Sequence, residues 1–269
     1  MASSEDVYTH GHHESVLRSH RWRTAENSAA YLLPHLHPGT SLLDVGCGPG
    51  TVTVDLAARV APGRVIGVDV APDVVDKARA HARERGAGNV EILAGDVRSL
   101  DLPARSFDVV HAHQVLQHLR DPVDMLRTMA GLARPGGLVA VRDGDYPAMV
   151  WAPASDGLDR WLAMYLAVTR RNGAAADAGR RLPAWARAAG VDDVSFTTST
   201  WTFASPDDRV WWADLWADRV VDSTLAEQAV AYDIATPGEL AEIAAAWRAW
   251  AADPDAVFVV VHGELIARV

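Results

Sequence analysis

Between residues 23 and 145 the chain alternates two hydrophobic patterns: short continuous apolar runs, and longer segments with apolar positions every three to four residues. Ala25, Ala29, Leu32 and Leu33 predict a helix over residues 23–33, which Pro34 stops. Residues 41–45 form an apolar run that ends in glycines and predict a buried strand. Val54, Leu56, Ala57 and Val60 then predict a helix over residues 51–60. The runs 64–69, 90–94, 107–112 and 138–142 predict four further strands. Pro72 and the pair Asp121-Pro122 each open a helix, since the fixed φ and missing N–H of proline suit the first turn. Strands that are apolar throughout and alternate with helices predict a parallel sheet covered on both faces.

The rhythm breaks after Asp145. Helices are expected over residues 155–171, within 184–189, and over 206–228 and 236–252. Strands are expected over 194–203, where Ser, Thr and aromatics alternate, and over 257–269. Nine of the ten tryptophans lie from Trp151 onward, so this half carries most of the large aromatic surface.

Composition narrows the partners. With 269 residues, 49% of them hydrophobic, the chain can fill one α/β core without dividing in two. The net charge of −10 disfavours a phosphate backbone as partner, and the densest basic segment, 79–85, is interrupted by Glu84. A single cysteine, Cys47, excludes an intrachain disulfide. No basic segment leads into an apolar run at the N-terminus, and no stretch of about 18 apolar residues exists, so a cytoplasmic protein with no membrane contact is expected.

The densest chemistry lies in Asp44-Val45-Gly46-Cys47-Gly48-Pro49-Gly50-Thr51, between a predicted strand and a predicted helix. Glycines there let the backbone turn tightly and approach a ligand. The spacing is G-x-G-x-G rather than the G-x-G-x-x-G of dinucleotide sites. Pro49 removes one amide a phosphate would use, and the Lys of a Walker loop is missing. The loop therefore suits a ligand without a diphosphate.

These residues resemble motif I of the class I S-adenosylmethionine-dependent methyltransferases, and the pattern is similar to methyltransferases of ubiquinone and menaquinone biosynthesis. The resemblance spans roughly residues 24–145 and continues in the closing strands. It implies a Rossmann-like, mostly parallel seven-stranded sheet with helices on both faces. The longer C-terminal half would add a helical roof, about 147–178 and 205–252. It implies S-adenosyl-L-methionine as cofactor. Asp44, Gly46, Cys47 and Gly48 would form the cofactor loop, and Asp69, with Val70, would take a ribose hydroxyl. Gly95, Asp96 and Val97 would flank the adenine, with Asp96 accepting from its amine, and the chain at His113 would meet the methionine part. Plainer roles stand beside these: Asp69 as a turn residue, Asp96 as a helix N-cap, Asp44 as a brace for the loop through its backbone amides, and Cys47 as a packing residue.

Transfer from a sulfonium is an in-line displacement with a good leaving group, so alignment carries much of the rate and a base is optional. Residues 1–22 are the candidate lid, with 23–269 as the catalytic domain. Tyr8, His10 and His13 in the lid are candidates to orient or deprotonate an acceptor, and His118 is a second candidate base. No metal site is expected. Asp143, Asp145 and Tyr146 are candidate pocket residues. Trp151, Trp161, Trp211, Trp212 and Trp216 either stack on a flat acceptor or fill the roof core. The expected reaction is methylation of a hydrophobic, aromatic small molecule, at carbon or nitrogen. A protein or nucleic-acid methyltransferase, and a non-catalytic or partner-dependent cofactor-binding protein, remain alternatives. Oligomeric state is not legible.

Overall fold

A computed structural model describes Thr9 and residues 14–269, without the side chains of residues 14–17. Two N-terminal helices, α1 (Glu14–Arg21) and α2 (Ala25–Ser28), precede the first strand. The regular part then runs β1 (Leu42–Val45), α3 (Thr51–Val60), β2 (Val65–Asp69), α4 (Pro72–Glu84), β3 (Val90–Ala94), β4 (Phe107–His113), α5 (Pro122–Leu132) and β5 (Ala133–Gly144). The C-terminal half contributes β6 (Val150–Ala152), α6 (Asp156–Asn172), α7 (Ala178–Ala188), β7 (Val194–Phe203), α8 (Pro206–Asp222), α9 (Thr224–Ala231), α10 (Pro237–Ala251) and β8 (Val257–Arg268).

β3, β2, β1, β4 and β5 lie side by side and parallel, in that order. The antiparallel strand β8 follows, pairing β5 on one side and β7 on the other. Among the described residues the sheet has eight strands rather than seven, because Val150–Ala152 form β6 and extend the pairing of β5 along β8. The parallel strands bury both faces: α3 and the N-terminal segment cover one around Leu42, Leu56, Val109 and Ala140, while α5 and α7 cover the other around Leu43, Val110, Met129 and Val139. Gly179 in α7 and Gly263 in β8 meet backbone to backbone, so a Cβ on either would displace the helix from the sheet.

The remaining helices build a separate aromatic core. α6, α8, α9 and α10 enclose Trp161, which packs edge-on against Trp216 at 4.6 Å and Trp247 at 5.0 Å. Two expected helices are shorter than their periodicity suggests. Over residues 23–33 the helix opens with a capping box between Thr24 and Asn27, yet α2 ends at Ser28, and Leu33–His35 form a separate short 3-10 turn. The expected helix 206–228 divides at Ser223, whose extended backbone ends α8 while its hydroxyl caps α9 through the Leu225 amide.

Candidate active site

Gly46, Gly48 and Gly50 follow β1 with φ of 67°, 56° and 81°, left-handed conformations that side chains disfavour. At Gly46 a Cβ would also run into Val115. The amides of Gly46 and Cys47 donate to the Val68 carbonyl, and that of Gly48 donates to Asp69 Oδ2 at 3.0 Å. Asp69 Oδ1 accepts from the Ala71 amide at 3.0 Å, so this carboxylate ties the glycine loop to the end of β2.

Asp44 braces different elements from those expected. Its Oδ2 accepts from the Thr53 hydroxyl at 2.6 Å, and Oδ1 lies 2.8 Å from His111 Nδ1. A carboxylate only accepts, so Nδ1 carries the proton. Asp44 thus locks β1 to α3 and β4 through side chains rather than through the loop amides. Cys47 packs with Val75, Ala78 and Ile92, and burial, with Asp44 and Asp69, pushes its thiol well up, which keeps it protonated.

Beyond β3, Gly95 takes φ 146° and Val97 is buried, while Val70 stands 68% exposed on the cavity rim. Asp96 caps no helix; its carboxylate takes the Arg98 amide and a two-pronged bond from the Arg98 guanidinium. Burial alone would raise its pKa, but the bonds and charge of Arg98 outweigh it and hold the group low.

At the end of β4 a polar row crosses the sheet: His113, Arg142, Glu264 and Thr197 are register partners on four adjacent strands. Arg142 is paired with Glu264 at 3.2 Å, and its guanidinium stands 4.9 Å from the Trp201 ring centre. Burial, then Arg23 and Arg142, hold the His113 ring well below the usual histidine range, and neither nitrogen has a hydrogen-bond partner among the described residues. The next residue, Gln114, adopts φ 54°, a strained value for a side chain. There it accepts from Arg23 at 2.6 Å and contacts His262 Nε2 at 2.9 Å. His118 Nε2 lies 3.0 Å from the Gln117 side-chain amide, and burial, with Arg23 and Arg219, lowers its pKa to about 3. It is a neutral hydrogen-bonding group at physiological pH and a weak base.

One cavity of about 1050 Å³ joins these parts. Its floor holds Asp44, Gly46, Cys47, Gly48, Asp69, Val70, Gly95, Asp96, Val97, His113 and His118, so the structure brings these expected site residues together. Its far wall is Tyr146, Met149, Trp201, Trp212, Trp216 and Arg219. Trp151, Trp161 and Trp211 do not reach it and pack in the roof instead. Asp143 and Asp145 also stay out of the cavity. Asp143 is wholly buried and accepts from the Gln117 amide, and Asp145 is paired with Arg180 at 2.6 Å. Tyr8, His10 and His13 lie outside the described residues. From the proposed lid, Ser19 and His20 border the cavity, and the His20 carbonyl accepts from Thr51 beside the glycine loop. Among the described residues no three His, Cys, Asp or Glu side chains gather to hold a metal, and no helix is long and apolar enough to cross a membrane.

Sequence reasoning missed Arg23, Gln114, Trp201 and Arg219. A signal existed for Arg219, which follows Trp212 and Trp216 at helical spacing and so shares their face. None existed for Arg23 or Trp201, which arrive from distant segments.

Residues 36–174 match a family model described as a methyltransferase domain. An uncharacterised methyltransferase of Schizosaccharomyces pombe is 31% identical over 97% of this chain and 96% of its own. The aklanonic acid methyltransferase DauC of a Streptomyces species is 36% identical over 40% of this chain and 52% of its own. The crystal structure of the cyclase SpnF superposes with a TM-score of 0.55 at 24% identity, over 94% of this chain and 80% of that one. That likeness concerns the fold.

Proposed function

This chain belongs to the class I S-adenosylmethionine-dependent methyltransferases, and from that premise we propose that it methylates a hydrophobic, aromatic small molecule bound under the tryptophan-rich roof. The observation that carries this reading is the continuity of the cavity: the glycine loop and Asp69 line one end, Tyr146, Trp201, Trp212 and Trp216 the other. Its volume slightly exceeds the roughly 300–1,000 Å³ typical of single-ligand sites, which leaves room for an acceptor beside a cofactor.

The residues at the first end suit S-adenosylmethionine. The glycine loop offers backbone without side chains, and Asp69 and Asp96 border the same cavity at the ends of β2 and β3. Val70 supplies an exposed apolar face at the rim. The cofactor supplies an activated methyl group. In this reading Asp69 holds the ribose, Asp96 and Val97 flank the adenine, and the chain at His113 meets the methionine end. The aromatic wall aligns the acceptor and excludes water, and alignment is the main catalytic contribution. Ser19 and His20 carry the N-terminal segment across the mouth as a lid. The name of the DauC relative, an aklanonic acid methyltransferase, fits a small-molecule acceptor.

Calorimetric titration with S-adenosylhomocysteine tests the cofactor assignment. Micromolar binding, about −8 kcal/mol, is expected for the wild type, weakened at least roughly tenfold in Asp69→Ala. A wild type that does not bind would sink the reading. Aromatic acceptors can then be screened for the added mass of one methyl group.

A further inference from the structure

Two glutamines follow the end of β4 within one turn, and each has its amide turned in a fixed direction. The Gly144 amide donates to Gln117 Oε1 at 2.9 Å, and the Arg23 guanidinium donates to Gln114 Oε1 at 2.6 Å. A backbone N–H and a guanidinium can only donate, so both oxygens are placed and both Nε2 groups point elsewhere. Gln117 Nε2 lies 3.0 Å from His118 Nε2, and Gln114 Nε2 lies 2.9 Å from His262 Nε2. An amide NH2 only donates, so each histidine Nε2 must accept. In a neutral ring with a bare Nε2 the proton sits on Nδ1. An imidazolium would set two donors against each other at these distances, so the contact also opposes protonation. Burial and the charges of Arg23 and Arg219 act on His118 in the same direction. The tautomer follows from the donor and acceptor count, whatever the charge of Arg120, Asp121 and Asp124, which border the same cavity.

Gln117 is held on every side. It is 3% exposed, its backbone amide donates to Asp143 Oδ1 at 3.2 Å, and its carbonyl accepts from the Ala175 amide at 3.0 Å. A Cβ on Gly144 would lie 3.0 Å from its Oε1, so the close approach of that strand end to the side-chain amide needs a glycine. His262 is wholly buried and does not reach the cavity, whereas His118 borders it. Building on the methyltransferase reading, we propose that Gln117 is a positioning residue that fixes His118 as its Nδ1–H tautomer, and that His118 holds the methyl acceptor as a neutral hydrogen-bond donor instead of taking a proton from it. With Nε2 committed to Gln117, Nδ1 is the nitrogen this ring can offer a ligand, and it offers a proton. The acceptor it selects presents an oxygen lone pair, on a carbonyl, ether or phenol, from an aromatic frame.

Two-bond proton–nitrogen NMR spectra of the full chain, labelled with heavy nitrogen in its histidines, read the tautomer directly at neutral pH. The His118 cross-peaks are those missing in His118→Leu. They should show a neutral ring with its proton on Nδ1. In Gln117→Glu the new carboxylate can only accept, so the His118 proton should move to Nε2 or the ring should become an imidazolium. A role in packing alone would leave the tautomer where it was. The ligand role is read with 2-acetylnaphthalene and 2-isopropenylnaphthalene, which share a shape and differ in one acceptor oxygen, added to the chain saturated with S-adenosylhomocysteine. By tryptophan fluorescence the ketone should bind roughly tenfold tighter, and His118→Leu should abolish the difference. A wild-type His118 that is charged or carries its proton on Nε2 would overturn the proposal, as would an unchanged tautomer in Gln117→Glu. Equal binding of the two naphthalenes, binding of neither, or a preference that survives in His118→Leu would overturn it as well. The wild-type spectrum and affinities decide even where a variant fails to fold. Failure of S-adenosylhomocysteine itself to bind, with the tautomer as expected, would instead overturn the cofactor reading.

Discussion

The glycine-loop end of the cavity and the helical roof over it are built on different principles. The glycine-loop end is backbone: three left-handed glycines, amides donating to Val68 and Asp69, and two carboxylates at strand ends. Its residues follow one another over a few positions, and each has a fixed place relative to a strand. The roof is side chain: Trp161, Trp216, Trp247 and Phe258 come from three helices and the last strand and hold one another by packing. A site made of backbone tolerates change around it but not within it. A site made of packed rings stands or falls with the core behind it.

Three measurements press on that contrast, the largest effect first. Trp161→Ala removes a wholly buried ring from the centre of the roof and should cost about 3–5 kcal/mol of folding stability by chemical denaturation. Cofactor affinity of the molecules that stay folded should be unchanged. Loss of both together would mean that the two ends are one cooperative unit. Gly46→Ala should do the reverse. Its Cβ meets Val115 in a left-handed backbone, so S-adenosylhomocysteine affinity should fall on the order of 100-fold, ~2.8 kcal/mol. The roof should keep its tryptophan emission. A variant that binds normally would show that the loop does not need its backbone geometry.

The third measurement concerns the border. Asp143 is wholly buried and braces the 115–118 turn that carries His118, and burial, offset by the amides of Gln117, Leu116 and Val115 and by Arg142, raises its pKa to about 7. The folded chain then keeps a proton the unfolded chain has lost. The contribution of this group to stability is complete below about pH 4 and disappears as pH rises through about 7, with a slope no steeper than ~1.4 kcal/mol per pH unit. Stability of the wild type should therefore decline between about pH 4 and 7 relative to Asp143→Asn. Parallel curves would show that Asp143 is ionised throughout.

Where sequence reasoning stopped short, a local rule met a tertiary partner. Ala25, Ala29 and Leu32 are buried, yet the helix ends after Ser28, where the Asn27 carbonyl accepts from the indole of Trp201, far along the chain. Asp44 stands where the motif puts it, but its partners, Thr53 and His111, were not named because one depends on helix phase and the other on strand register. Of the five tryptophans offered to an acceptor, only Trp212 and Trp216 reach the cavity. Helical spacing placed both on one face but could not say which neighbours faced the opening.

The sequence by itself determined the alternating α/β sheet, the glycine loop and the acidic residues at the ends of β2 and β3. All of these depend on residue type and short spacing, which the backbone reads within a few residues. The tertiary structure alone decided the eighth strand, the row His113, Arg142, Glu264 and Thr197, and the arrival of Arg23 and Trp201 at the cavity from distant segments. These depend on register between strands distant in sequence and on which helix face closes over the sheet, and no local pattern carries that information.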